Sequence, residues 1–361
     1  MRQVLFEVWL QQPWAGWTPQ PLGVERLGAG WVLLALGVLY GLVQAALGHR
    51  QLLKPSAAWS PWIIALIGVT FAGPILPIVG FPVFGYGVMV LIGFLCGIGF
   101  AQYRAKQVGM NPEVIMDLAF WILLAGIAGG RMAYLAQYHR EVFNSSSTLP
   151  QQLFAAVNLT QGGLVLIGAM FGAALGFMVF CRLRKITALP LLDVITPSIF
   201  IGVGFGRIGC LLNGCCFGDR CDLPWGIEFS QGSTTFNILA MRGFVDPHAA
   251  HTMPLHPTQI YSSLNGFILA FATAQYFWYR RFAGDVFALG CLLYPMTRIM
   301  LEFLRADEMG QFGTSFTISQ WYSVGIFCFG LGLLAYNRLV RRQSSDTPPA
   351  VSPGTPSAQP G

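Results

Sequence analysis

Arg131, Arg207, Arg298 and Glu302 stand inside long apolar runs of this 361-residue chain. In the middle of a bilayer each such charge costs about 2.5–3.5 kcal/mol, so each is a candidate for function. Arg131 lies in GGRMAYLAQY, Arg207 in GFGRIGCLLNGCCFG, and Arg298 and Glu302 in YPMTRIMLEFLRAD. Tyr294, Arg298, Glu302 and Arg305 follow at i, i+4, i+8 and i+11, which predicts one stripe down one helix face. An Arg298–Glu302 pair alone could simply ease a helix end through the interface. Arg207 has no acid within a helical turn, and a buried cation of that kind needs an anion from elsewhere. At interfacial depth the abundant anion is a lipid phosphate. Gly202, Gly204, Gly206 and Gly209 around Arg207 would let a head group or a neighbouring helix come close to the backbone.

Two further groups have chemical potential. Residues 256–261 read His-Pro-Thr-Gln-Ile-Tyr, with Pro257 suited to a first helical position and His256 available for proton transfer. Four of the eight cysteines, Cys210, Cys215, Cys216 and Cys221, fall within twelve residues, while Cys96, Cys181, Cys291 and Cys328 are scattered in apolar runs. The spacing Cys-x4-Cys-Cys-x4-Cys does not match the usual zinc pairs. A disulfide, inert packing, and a metal or redox site all remain open for the cluster.

These residues need elements that cross a membrane to position them. Only 36 residues are charged, about 10%, against roughly 25% in an ordinary soluble protein. With 54% apolar residues and a mean hydropathy of +0.58, a soluble enzyme, a disordered chain and a coiled coil are excluded. The expected fold class is all-α, a polytopic membrane bundle. Seven core spans are expected at about 84–103, 114–137, 162–181, 195–212, 263–279, 284–303 and 320–338. Two more apolar stretches, about 28–48 and 62–80, precede them, the second with Pro74 and Pro77. A strand reading of the fourth span is poor, because an open strand edge has no partners in lipid. Residues 1–11 lack the continuous apolar region and small-residue cleavage site of a signal peptide, so no cleaved leader is expected.

The chain therefore divides into an N-terminal extension at 1–81, a membrane core at 82–340 with an extracytoplasmic loop at 213–255, and a Ser/Pro/Gly-rich tail at 343–361 expected to be disordered. No internal repeat is evident. The net charge of +6 reflects topology, since no basic stripe with interleaved aromatics suggests nucleic acid. Arg104 and Lys106, then Arg182, Arg184 and Lys185, then Arg280 and Arg281, then Arg338, Arg341 and Arg342 follow alternate spans. The intervening loops carry offsetting acids: Glu141, Asp219, Asp222, Glu228, Asp246, Asp307 and Glu308. By the positive-inside rule both the C-terminus and Arg50 with Lys54 are cytoplasmic, and the N-terminus is outside.

The motifs FGYGVMV, GGRMAYL, QGGLVLIGAMFG, GRIGCLLNGCCFG, HPTQIY, RIMLEFLR and ISQW occur in that order over about 82–340. In this the chain resembles the prolipoprotein diacylglyceryl transferases, membrane enzymes that lipidate bacterial lipoproteins. The resemblance implies transfer of the diacylglyceryl group of phosphatidylglycerol to a lipobox cysteine thiol, releasing glycerol phosphate, in the bacterial inner membrane. It implies no cofactor and no metal, with phosphatidylglycerol, prolipoprotein signal peptides and the bilayer as partners. It places Arg207 and Arg298 on the lipid phosphate and leaving group. Glu302 would orient the arginines, and Tyr86 and Tyr294 would bond the head group. His256 is a candidate proton carrier. Asn213, Gly218, Arg131, Gln259, Tyr261 and Arg305 are expected to line the substrate.

Several positions depart from the family pattern. Ile167 stands in the QGG motif where a His or Tyr is often found, Cys210 and Cys215 where an Asn and an acid are common, and Ser262 where an acid follows HPTQ-x-Tyr. The acceptor thiol must still lose a proton, from a reference pKa near 8.5. Two other functions compete with the transferase. A non-catalytic lipid-binding paralogue would bind lipid and make no product. A thiol-redox or metal protein would depend on the cysteine cluster and not on Arg207. A transporter is disfavoured because no acidic chain runs through the spans.

Overall fold

The computed structural model describes residues 4–9, 12, 14, 26–46, 65–67, 70, 80–139, 163–305, 314 and 316–345. Its elements are β1 (Val4–Trp9), β2 (Arg26–Gly28), α1 (Ala29–Ala46), β3 (Gly80–Phe84), α2 (Gly85–Gln107), α3 (Glu113–Gln137), α4 (Leu166–Arg184), α5 (Ala188–Asn213), α6 (Thr234–Met241), α7 (Thr258–Tyr276), α8 (Asp285–Glu302) and α9 (Ile318–Ser345). The chain is an all-α membrane protein with one small sheet. Gly85–Gln107, Glu113–Gln137, Leu166–Leu183, Ala188–Asn213 and Ile318–Leu339 are long and apolar enough to cross a bilayer. Their large apolar side chains face outward, as at Phe120, Phe171 and Leu175, which suits lipid rather than water.

Each of the seven expected core spans is a helix, with shifted ends. The fourth starts seven residues earlier, at Ala188, and runs through Pro197. The fifth opens at Thr258 and the third only at Leu166. Among the described residues, α7 and α8 fall short of the apolarity of the other five. Helix α7 carries Gln259, Ser262, Ser263 and Asn265, and α8 carries Asp285, Arg298 and Glu302. The first N-terminal stretch is helical as α1. The second, 62–80, falls largely outside the described residues, as does the tail beyond Ser345. Gln343, Ser344 and Ser345, expected in that tail, belong to α9.

The one small sheet lies beside the helices and leaves the all-α class unchanged. Its order is β2-β1-β3, with β1 parallel to β2 and antiparallel to β3. Glu7 faces Arg26 across the parallel pair, and Arg26 Nε donates to its carboxylate at 2.8 Å. Strand β1 reads VLFEVW, apolar at five of its six positions, and its pairing with β2 and β3 is what defines it as a strand.

The chain forms two compact units. The first comprises 1–93, 204–263 and 304–307. Its core is Phe217, Phe229, Leu239 and Leu255, all within the 213–255 loop, with Ile227, Ile238, Val245 and Met253 around them. Helix α6 in this loop is capped by Ser233, whose Oγ accepts from the Phe236 N–H at 3.2 Å.

The second unit comprises 94–203, 264–303 and 308–361. Helices α3 and α4 cross on small residues, so closely that a Cβ on Gly129 would lie 2.4 Å from the Gly168 carbonyl oxygen. At one end of this unit several basic residues act as fasteners. Arg104 is buried against the Phe277 ring, 4.1 Å from its centroid, and donates to the Ala274 carbonyl at 2.9 Å. Asp285 accepts from Asn337 Nδ2 at 2.9 Å and lies 3.4 Å from Arg338.

Gly284, at the N-cap of helix α8, has no side chain to cap it. Asp193 of α5 does this instead, accepting from the Gly284, Val286 and Phe287 N–H groups at 2.8, 3.0 and 3.0 Å. Arg280 stands 3.7 Å away, and Asp193 is fully buried. Asp193→Ala therefore strands three donors and a guanidinium, and is expected to lower stability by about 3–5 kcal/mol. Asp193→Asn keeps one acceptor oxygen and should fall between. Thermal unfolding in detergent checks the order; equal stability of Ala and wild type would refute the capping role.

Candidate functional site

The first unit holds Arg207, Tyr86, Asn213, the cysteine cluster, Gly218, His256, Gln259, Tyr261 and Arg305. The geometry starts at the end of α5. Gly214 N donates to the Leu211 carbonyl at 3.1 Å and Cys215 N to the Cys210 carbonyl at 3.1 Å, while Gly214 has φ +67°. This pair of bonds is a Schellman motif, in which the left-handed residue is the glycine just past the helix. It folds Cys215 back over Cys210. Cys216 follows with a second positive φ, +60°, unusual for a side chain with a Cβ.

As a result the sulfurs of Cys210, Cys215 and Cys216 lie within 4.8 Å of one another. None of the eight cysteines is in a disulfide, so the disulfide reading of the cluster is not what the fold forms. Cys221 is buried apart from the trio. Hydrogen bonds from the Cys210 and Cys215 thiols hold the Cys216 thiol well below the usual thiol range. Burial opposes this, and the charges of Arg207 and Arg305 reinforce it. Asn213 hydrogen-bonds the Cys215 thiol.

The turn is clamped from α7. Thr258 Oγ1 donates to the Cys216 carbonyl at 2.9 Å and Gln259 Nε2 to the Cys215 carbonyl at 2.8 Å. Gly214 itself is tied to α6, its carbonyl accepting from both Thr235 N and Thr235 Oγ1. An alanine at 214 meets only ordinary contacts, the nearest at 3.5 Å, so its cost is the left-handed backbone alone. Gly214→Ala is expected to lower stability by about 1–2 kcal/mol, read as a lower melting temperature. No loss would mean that the turn is not under this constraint.

The loop closes on the same end of α5. Gly218 N donates to the His256 carbonyl, His256 N to the Asp219 carbonyl and Asp219 N to the Leu304 carbonyl, at 3.1, 2.8 and 2.9 Å. Gly218 pairs with Arg305, and a Cβ at 218 would meet the His256 carbonyl at 2.6 Å. The glycine is there because three backbone segments converge. The His256 ring lies beside Tyr261, with Nδ1 3.5 Å from its hydroxyl, which also accepts from Trp225 Nε1 at 2.7 Å. Tyr86 packs against Gly209, where a Cβ would meet its ring at 3.1 Å.

The second unit holds Arg298, Glu302, Tyr294 and Arg131. The expected Arg298–Glu302 pair forms, both side chains nearly buried, and Thr317 Oγ1 donates to the other carboxylate oxygen at 3.1 Å. Tyr294 stacks obliquely on Phe200, with centroids 6.0 Å apart. The stripe does not reach Arg305 as expected. Helix α8 ends at Glu302, and Phe303 and Leu304 turn the chain, so Arg305 is placed by its pairing with Gly218 and not by helical periodicity. Arg131 donates to the Gly163 carbonyl at 3.0 Å and lies over Tyr134, joining the GGRMAYL motif to the last glycine of the QGG motif. Ile167 sits in the first turn of α4.

Sequence reasoning named the cysteines and missed their convergence. The signal was Asn213-Gly214 at the end of a long apolar helix, a C-terminal stop that brings positions 210 and 215 together.

Comparison with known proteins gives the family. A family model described as prolipoprotein diacylglyceryl transferase matches residues 74–336. A phosphatidylglycerol–prolipoprotein diacylglyceryl transferase of Clostridium tetani is 33% identical over 263 residues, covering 70% of this chain and 94% of the relative. A second such protein, numbered 2, from Clostridium perfringens is 31% identical over 74% of this chain and 96% of its own length. One from Rhodopirellula baltica is 24% identical and aligns with 98% of this chain and 92% of its own, the N-terminal extension included. With the ordered motifs, the five apolar helices and a family match across most of its length, the chain belongs to the prolipoprotein diacylglyceryl transferase family.

Proposed function

We infer that this chain transfers the diacylglyceryl group of phosphatidylglycerol to the lipobox cysteine of a prolipoprotein, releasing glycerol phosphate. The observation that carries this is the family match over 74–336, which contains every candidate site residue. A thiolate attacks the glycerol carbon, a carbon–sulfur bond forms, and the carbon–oxygen bond to phosphate breaks. Negative charge grows on the phosphate oxygens, where fixed cations shielded from water are most effective.

Arg207 serves the lipid phosphate, and Arg298, oriented by Glu302, stabilises the leaving group. Tyr86 and Tyr294 bond the head group. Asn213, Gly218, Arg131, Gln259, Tyr261 and Arg305 line the substrate, and His256 carries protons. The enzyme resides in a bacterial inner membrane with the 213–255 loop and the N-terminus outside and the C-terminus in the cytoplasm, as the basic loops favour. The N-terminal extension, residues 1–81, precedes a core of 82–340.

The test uses membranes from cells depleted of their own transferase, with phosphatidylglycerol and a lipobox peptide. The expected result is the mass gain of a diacylglyceryl thioether. Lipid retained without product would favour the binding paralogue, the reading that Ile167 supports.

A further inference from the structure

The three converging thiols do not follow from lipid recognition. Phosphatidylglycerol offers hydroxyls and a phosphate, for which arginine, asparagine and tyrosine suffice. Sulfur donors suit a soft cation. Four-coordinate zinc with sulfur at about 2.3 Å holds its ligands close to 3.8 Å apart. Sulfurs already within 4.8 Å of one another reach that spacing by small side-chain rotations. Their backbones are fixed beforehand. The Schellman turn holds Cys210 and Cys215, Gln259 holds the Cys215 carbonyl, and Thr258 holds the Cys216 carbonyl. Gln259 is 1% exposed, and among the described residues its Oε1 is a buried oxygen without a hydrogen-bond partner. A support of this kind is what orients metal ligands.

We propose that Cys210, Cys215 and Cys216 bind one Zn(II) through their sulfurs, leaving a fourth position that takes the thiol of the acceptor cysteine. This departs from the expectation of a metal-free site. Structural zinc sites are closed by four protein ligands, whereas three protein ligands with one exchangeable position mark a reactive one. The metal site stands on the sulfur geometry; its role rests on the transferase reading.

That role supplies the step for which Ile167 has no chemistry. A thiol entering the fourth position loses its proton to solvent, because a coordinating thiol is deprotonated outright. The resulting thiolate attacks the glycerol carbon of phosphatidylglycerol. The carbon–sulfur bond forms as the carbon–oxygen bond breaks, and the electron pair leaves on the oxygen of glycerol phosphate. The neutral thioether then leaves the metal. Zinc(II) with four thiolates carries two negative charges, and Arg207 and Arg305, whose fields reach Cys216, offset them. An electron-rich thiolate of this kind remains nucleophilic at neutral pH.

The experiment uses the full chain in detergent, stripped with a chelator under reducing conditions and titrated with Co(II) as a spectroscopic substitute for Zn(II). One cobalt per chain with sulfur-to-cobalt charge-transfer absorption is expected, lost in Cys210→Ser, Cys215→Ser and Cys216→Ser and kept in Cys328→Ser. A lipobox peptide should intensify the band, and its Cys→Ser analogue should not. Stripping should slow thioether formation by about 10²-fold or more, with Zn(II) restoring it. Full activity without metal would overturn the inference and leave the transferase intact. Cobalt absorption independent of the three cysteines, or indifferent to the peptide thiol, would also overturn it, as would a disulfide within the trio in the active protein. Thiol capture by the cobalt protein without any thioether product would support the site and refute the transferase reading.

Discussion

Arg207→Ala is expected to reduce diacylglyceryl transfer by about 10²–10³-fold, the range for removing one fixed group that stabilises a developing oxyanion. Arg207 lies in the last two turns of α5, near the end that the Schellman turn and the α7 clamp hold in place. Such support means that the substitution removes a charge without loosening the turn, so the protein should still purify as a folded species. Arg207→Lys should recover only part of the rate, since an ammonium cannot present the planar pair of donors that matches a phosphate. The mass-shift assay measures this directly. An Arg207→Ala protein with wild-type rates would remove the phosphate assignment, whatever happened to lipid affinity.

The second large effect is on stability and activity together. Arg298 and Glu302 have side chains 10% and 1% exposed, and Glu302 also accepts from Thr317. Glu302→Ala leaves a nearly buried guanidinium without its carboxylate, a change that typically costs about 3–5 kcal/mol. A sharp drop in melting temperature is expected. Replacing both partners with apolar residues, Arg298→Met with Glu302→Leu, removes the stranded charge and should restore most of the stability. Transfer should stay low in the double variant, because the cation assigned to the leaving group is gone. A double variant that regains both stability and activity would reduce the pair to the helix-end device that its spacing also permits.

Much of the architecture was legible because the bilayer imposes it. A helix is the only open chain segment that satisfies its own backbone in lipid, so runs such as Gly85–Gln107 and Glu113–Gln137 could be placed to within a few residues. The i,i+4 spacing of Arg298 and Glu302 forecast their pairing for the same local reason. What escaped was decided by chain reversals. Arg305 left the expected stripe because the helix stops at Glu302, and periodicity says nothing about where it will stop. The cysteines met because Gly214 adopts φ +67°, and a cluster defined by a turn has no hydrophobic period to reveal it. Helix α5 starts at Ala188, seven residues before the apolar run expected to cross, and the added turns carry Pro190 and the charged Asp193. Strand β1 is so short that its pairing, not its composition, makes it a strand.

Asp193 and the amides it caps are 91 residues apart in sequence. At synthesis rates of about 5–20 residues per second, α5 emerges roughly 5–20 s before Gly284 does. Throughout that interval an acidic side chain destined for full burial has no partner, and Arg280 has not yet been made. The nascent protein therefore passes through a stage in which α5 cannot settle at its final depth. A chain stalled just before residue 280 should remain accessible to a water-soluble label at position 193, and one extended past 290 should not. The final helix pair thus acts as a latch on the earlier spans, so translation order governs when the bundle can close.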